Sequence, residues 1–141
     1  MGNKLTLADF TKKATDKYNS RKMTIEIEIE GFDGTATFTR PTQNDLLVYM
    51  SKNAKAVKSE VDKDGKSQVT EMDFVLMTDA AVTLIYNSCT FLHDEDLQKS
   101  LGVIDPYDIV TKIFNPETAI DISRQISDAF TDDEVAEKIK N

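Results

Sequence analysis

The chain has 141 residues, and 40% of them are hydrophobic, so it is long and apolar enough to bury the core of about one domain, which argues against a disordered protein. Its formal net charge of −8 disfavours nucleic acid as a partner, because an acidic body repels phosphate backbones. No apolar run approaches the roughly 18 residues that a membrane span needs. The one cysteine excludes an internal disulfide framework, so we expect a cytoplasmic protein without membrane contact.

The N-terminal segment differs in charge from the rest of the chain. Residues 1–22 contain six lysines and arginines against two aspartates, a net charge of +4, and the remainder therefore carries −12. Within this segment, TLADFTKKATDKY predicts an amphipathic helix that begins with a capping box of Thr6 and Asp9. One apolar stripe follows the helix and consists of Leu7, Phe10, Ala14 and Tyr18. The stripe is either packed inside the domain or a protein-binding surface, for which Leu7, Phe10 and Tyr18 are the candidates.

A β-hairpin is predicted at about residues 23–40. Ile25, Ile27 and Ile29 alternate with glutamates, which is the period of a half-buried strand, and Asp33-Gly34 marks the turn. Ala36 and Phe38 continue the apolar face on the return strand. Because a lone hairpin is marginal in water, this face must lie on helices or on the sheet of another chain.

Helices are predicted for most of the remaining chain. One helix covers residues 42–61, a solvated loop covers 62–70, and a buried central helix runs from Phe74 to Leu92. A short helix ending at Gly102, another at 106–114 and a last amphipathic helix follow. The inward positions of the 42–61 helix are Leu46, Leu47, Met50, Ala54, Val57 and Val61, and those of the last helix are Ala119, Ile122, Ile126 and Phe130.

The predicted fold is therefore mainly α (α+β), a domain of about five to six helices with one N-terminal β-hairpin. Residues 1–130 form a single domain, and 131–141 form an acidic tail that we expect to fray. Only Val135 and Ile139 offer apolar surface in this tail, which makes them the second candidate for protein binding.

Sequence motifs for catalysis, cofactors or metals are incomplete. Residues 62–73 are spaced like an EF-hand loop, but Lys66 places a cation where an oxygen ligand should be. Cys89 and His93 are four residues apart, as zinc ligands can be, yet two ligands are not a site. We therefore predict no catalytic, cofactor or metal site and no enzymatic activity.

The stretch DPYDIVTKIFNP, residues 105–116, is predicted to be a corner of the core between two prolines. In its wider setting, residues 84–130 resemble the C-terminal half of the XkdN-like phage tail assembly chaperones. The matching positions are Leu97 in an acidic D-x-x-L segment and then Pro106, Tyr107, Asp108, Ile109, Val110, Lys112 and Phe114. The match consists of packing residues and carries no catalytic signature.

This resemblance implies a protein that helps to build a phage or prophage tail without remaining in it. Its implied partner is the tape measure protein, with the tail tube protein as a second one, and its implied location is the host bacterial cytoplasm, outside the mature virion. Self-association is left open. The alternative is a small acidic regulatory protein, of an antirepressor or nucleic-acid-mimic type, and an enzyme of unrecognised type comes third.

Overall fold

The structure is a computed structural model that describes residues 4–131. In this range the chain is mainly helical, with two antiparallel two-stranded hairpins, which confirms the predicted fold class and adds a second hairpin to it. The elements are α1 (Leu7–Asn19), β1 (Thr24–Ile29), β2 (Gly34–Thr39), α2 (Gln43–Ala56), β3 (Val57–Val61), β4 (Ser67–Met72), α3 (Phe74–Ser88), α4 (Glu95–Ser100), α5 (Ile109–Ile113) and α6 (Pro116–Phe130). No helix in residues 4–131 is long and apolar enough to cross a membrane.

The core is built around α3, which packs against α2 on one side and α6 on another, with the β1–β2 hairpin laid over α3 and α6. The apolar face of α6 was predicted correctly, because its four inward residues are all buried. The core consists of Ile27, Ile29, Phe38, Ala81, Leu84, Ile85, Cys89, Leu92, Ile109, Val110, Phe114, Ala119, Ile122, Ile126 and Phe130.

The first hairpin is present with the predicted apolar face. Ile27 pairs with Ala36, and the isoleucines of β1 lie against the helices while the glutamates face outward. Residues 30–33 form the loop, in which Asp33 has a positive φ of 54°, a conformation that aspartate tolerates better than most residues. The helices therefore cover the hairpin, as its marginal stability alone requires.

The predicted helix starts are correct because each carries a side-chain cap. Thr6 accepts a hydrogen bond from the Asp9 amide, Thr42 from the Asp45 amide and Asn115 from the Thr118 amide. Gly102 ends the short helix α4 with a positive φ of 67°. Local chemistry thus fixes where these helices begin and end.

The predicted helix 42–61 is present but shorter, and the predicted loop 62–70 is wrong. The helix ends at Ala56, and 57–61 pair with 67–72 as β3 and β4, which leaves only a tight turn around Asp64 and Gly65. Val57 and Val61 are β-branched, which favours a strand over a helix.

The inward face of α2 is also different from the predicted one. Leu46 lies against the core as predicted, but the remaining contacts come from Tyr49 and Ala56. Among the other residues predicted to point inward, Val57 is half-buried, whereas Leu47, Met50, Ala54 and Val61 are exposed. The helix is rotated relative to the predicted face because only one of its two apolar stripes meets α3.

The central helix and the 105–116 corner are shorter than predicted. Helix α3 ends at Ser88, and a 3₁₀ turn at Thr90–His93 follows it. The corner consists of a 3₁₀ turn, Pro106–Asp108, capped by Asp105, and then α5. Proline fixes the first position of the turn, but the segment is too short for one continuous α-helix.

Candidate protein-binding surfaces

Helix α1 is not covered by any other element in residues 4–131. None of its 13 residues is buried. Leu7 is 83% exposed, Phe10 is 59% exposed and Tyr18 is 64% exposed. The packing alternative therefore finds no support among the described residues, and the stripe is an open apolar surface on an otherwise polar helix. That it binds protein stays a prediction, and Val135 and Ile139 lie outside the described residues.

The connection between α1 and β1 is held by hydrogen bonds. The Arg40 guanidinium donates to the Lys22 carbonyl at 3.1 Å, and the Arg40 amide donates to the Met23 carbonyl at 2.7 Å. Another nitrogen of the same guanidinium reaches the Phe130 carbonyl at 3.5 Å. On the helix side, the Arg21 guanidinium lies 4.0 Å from the centre of the Tyr18 ring. These contacts tie the end of the connection to the core and leave α1 projecting.

The second hairpin has two unlike faces, and both are open to solvent. Its polar face carries Lys58 and Glu71, whose charged atoms are 3.5 Å apart. Its other face is apolar, with Val61 71% exposed, Val69 60% exposed and Met72 42% exposed. An amphipathic hairpin with no described element on its apolar face is typical of a surface that contacts another molecule. We call Val57, Val61, Val69 and Met72 the hairpin face.

Two grooves lie on either side of Phe74, and the first of them also includes Met72 of the hairpin face. The first is about 910 Å³ and is bounded by β1, the start of α3 and α6; the second is about 810 Å³ and is bounded by α3 and the 105–111 corner. Phe74, which is 62% exposed, borders both grooves, as does Pro116. We call the two together the α3–α6 groove.

The α3–α6 groove is lined by both acidic and apolar side chains. Glu28, Glu30, Glu117 and Asp121 line its first part beside a single cation, Arg124, and Asp79, Asp105 and Asp108 line its second part. Asp79 forms an ion pair with Lys52 at 2.8 Å, and Lys52 itself does not line the groove. The apolar residues that line the groove are Met72, Phe74, Met77, Val82, Pro116 and Ile120. This combination suits a ligand that offers apolar side chains flanked by positive charge.

The residues of the family-like motif are divided between core and surface. Ile109, Val110 and Phe114 are buried. Pro106 and Asp108 are exposed. Tyr107 is 41% exposed and is not a core residue as the corner prediction required; its ring lies 4.6 Å from that of Tyr86. The buried residues of the motif therefore hold the corner in place, and Tyr107 and Asp108 line the second part of the groove.

Cys89 and His93 do not share a site. Cys89 is buried at the end of α3, and desolvation raises the pKa of its thiol, partly offset by hydrogen bonds from the backbone of Leu92 and Phe91. A buried thiol of raised pKa is a poor nucleophile. His93 is exposed and stacks on Tyr86, with 4.1 Å between ring centres. In residues 4–131 no three His, Cys, Asp or Glu side chains are placed to hold a metal ion.

Comparisons with protein-family models, with curated proteins and with solved structures gave no match to this chain. The resemblance of residues 84–130 to a tail assembly chaperone therefore stays a prediction.

The sequence reasoning missed the hairpin face and the α3–α6 groove. The Asp64-Gly65 dipeptide signalled a turn, but VKSEV and SQVTEM do not alternate apolar and polar residues. Val69 and Met72 are three residues apart and share a face only because the pairing of β3 and β4 has a register shift. The groove had no such signal, since its walls come from β1, α3, α6 and the corner, which only the tertiary fold brings together.

Proposed function

We propose that this protein is a non-enzymatic phage or prophage tail assembly chaperone, which binds the tape measure protein and keeps it soluble until the tail tube polymerises. In this proposal it acts in the host bacterial cytoplasm and is absent from the mature virion. The tail tube protein is a second partner. The proposal rests on the sequence resemblance of residues 84–130 together with the surface of the structure.

The observation that carries the proposal is the amount of apolar side chain left open on two separate elements. Helix α1 buries no side chain, and the hairpin face exposes three large apolar residues next to the exposed Phe74. Monomeric proteins rarely expose contiguous apolar patches of this kind unless the patch binds something. A chaperone needs such a surface because its client exposes apolar helical segments before assembly.

The hairpin face is the surface that we assign to the tape measure protein. It projects from the core, so a long client can contact it without rearranging the domain. An apolar contact of this size masks the client and yet stays displaceable, since few side chains are buried by each copy.

Co-expression with the tape measure protein tests the proposal. The tape measure protein of the same phage or prophage is expected to precipitate alone and to stay soluble in a complex with many copies of this protein. Co-purification and light scattering measure solubility and stoichiometry. A client that precipitates while this protein remains in solution by itself contradicts the proposal and favours the acidic regulator.

Isosteric substitutions locate the contact. Val61→Thr combined with Val69→Thr makes the hairpin face polar without changing its shape, and we expect the yield of soluble complex to fall severalfold. Val48→Thr is the matched control, because Val48 is 37% exposed on α2, away from the hairpin. Equal yields from both variants would remove the hairpin face from the proposal.

A further inference from the structure

We propose that α1 of one copy of this chain docks in the α3–α6 groove of a second copy, so that the protein associates head to tail. This inference goes beyond the chaperone proposal, since it concerns the chain alone and leaves Val57, Val61 and Val69 of the hairpin face to the client. It is argued from charge, from apolar matching and from the anchored connection before β1.

The charges of helix and groove are complementary. Lys17 lies beside Phe10 at the edge of the apolar stripe, and Lys13 lies one position farther round the helix, next to Asp9, whereas Asp16 is on the side opposite the stripe. The first part of the groove carries four carboxylates and one guanidinium. The second part is lined by three carboxylates, of which Asp79 is already paired with Lys52. A helix docked by its stripe therefore brings its lysines to the carboxylates and keeps Asp16 in solvent.

The apolar surfaces match in the same way. The stripe presents Leu7, Phe10 and Tyr18, each more than half exposed, and the groove presents Phe74 and Met72. Docking covers both sets at once and removes two apolar patches from water. Neither patch has a cover among the described residues of its own chain.

A second copy, and not the same chain, supplies the helix. Residues 20–23 are the whole connection between α1 and β1, and Arg40 holds the carbonyls of Lys22 and Met23. No residue of α1 lines either part of the groove. Only Ser20 and Arg21 lie between α1 and these anchored residues, so we expect the helix to stay projected, where a neighbouring copy can bind it. Because helix and groove are different surfaces, the contact repeats and generates rings or filaments.

Sedimentation velocity of the full chain tests the inference. At about 0.1 M salt the average mass is expected to rise with protein concentration, and at about 1 M salt it is expected to return toward the monomer, since the screening length falls from about 10 Å to about 3 Å. Lys13→Glu is expected to weaken association about tenfold or more. Lys12→Glu is the matched control, because it makes the same charge change on the side of α1 that faces away from the apolar stripe. It should leave association within about twofold.

Mixing two variants distinguishes head-to-tail docking from other association. Phe10→Ser has an impaired helix and an intact groove, whereas Glu117→Lys with Asp121→Lys has an intact helix and an impaired groove. At a concentration at which each variant alone is monomeric, their equimolar mixture should form a 1:1 dimer and no larger species. Circular dichroism checks that both variants fold.

Three results would overturn the inference: a wild-type chain that stays monomeric at all concentrations, equal effects of Lys12→Glu and Lys13→Glu, or a mixture that does not dimerise. None of them depends on a tape measure protein. Either proposal can therefore fail while the other holds, because client solubility and self-association are measured separately.

Discussion

Two buried serines of the core differ in whether their hydroxyl groups are hydrogen-bonded. Ser88 and Ser123 are both buried. Ser123 lies 3.0 Å from the Tyr49 hydroxyl and donates to the Ile120 carbonyl at 2.8 Å. The Ser88 hydroxyl is buried without a hydrogen-bond partner among the described residues. An unpaired buried hydroxyl costs free energy because it gives up its hydrogen bonds to water and gains none.

Replacing each serine by alanine should therefore change stability in opposite directions. Ser88→Ala is expected to raise the free energy of unfolding by up to about 1 kcal/mol, because it removes the unpaired hydroxyl. Ser123→Ala is expected to lower it by about 1 kcal/mol, because the Tyr49 hydroxyl loses its partner. Urea denaturation of the two variants measures both effects. A loss of stability in Ser88→Ala would show that its hydroxyl is satisfied in solution.

At the scale of elements, α1 and α6 form for different reasons. Both begin with a side-chain cap, but α6 buries five side chains in the core and α1 buries none. Isolated helices shorter than about 12–15 residues are marginal in water. Helix α1 therefore depends on its capping box, whereas α6 is held mainly by burial.

Removing each cap by substitution tests whether α1 depends on its cap and α6 on its burial. Thr6→Ala is expected to cost α1 about 1 kcal/mol, enough to melt it in dilute solution while the core stays intact. Asn115→Ala is expected to lower the unfolding free energy of the whole domain by about 1 kcal/mol, since α6 unfolds with the core. Circular dichroism follows the helix content, and urea denaturation follows the core. An unchanged helix content in Thr6→Ala would mean that α1 has tertiary support.

At the scale of the molecule, stability is concentrated around α3. The β1–β2 hairpin places three buried side chains, Ile27, Ile29 and Phe38, against the helices, whereas the β3–β4 hairpin buries none. The two hairpins have nearly equal strand lengths and the same antiparallel pairing. They therefore provide an internal comparison of strand pairing with and without a core.

Native-state hydrogen exchange should divide the molecule accordingly. Amides of α3, α6 and the β1–β2 pair are expected to exchange only through global unfolding, because their opening exposes the core. Amides of α1 and of β3–β4 are expected to exchange through local openings of much lower free energy. NMR in dilute protein solution resolves the two groups. Equal protection of the two hairpins would contradict this division.

The sequence by itself determined the parts of the fold that depend on local chemistry. Thr6, Thr42 and Asn115 define helix starts because each side chain accepts a hydrogen bond from a backbone amide three residues later. The alternation of isoleucine and glutamate defines the first hairpin and its buried face. The apolar face of α6 was also readable, since one stripe of a helix predicts one core contact.

Only the tertiary structure decided which apolar surfaces find a partner. Residues 57–61 continue the apolar period of α2, yet they form a strand, because pairing with 67–72 satisfies their backbone and no helix within residues 4–131 packs on them. In the sequence, the apolar stripe of α1 and those of α2 are equally suited to burial. Burial depends on a facing surface supplied by distant residues, so α3 covers part of α2, whereas no described element covers α1.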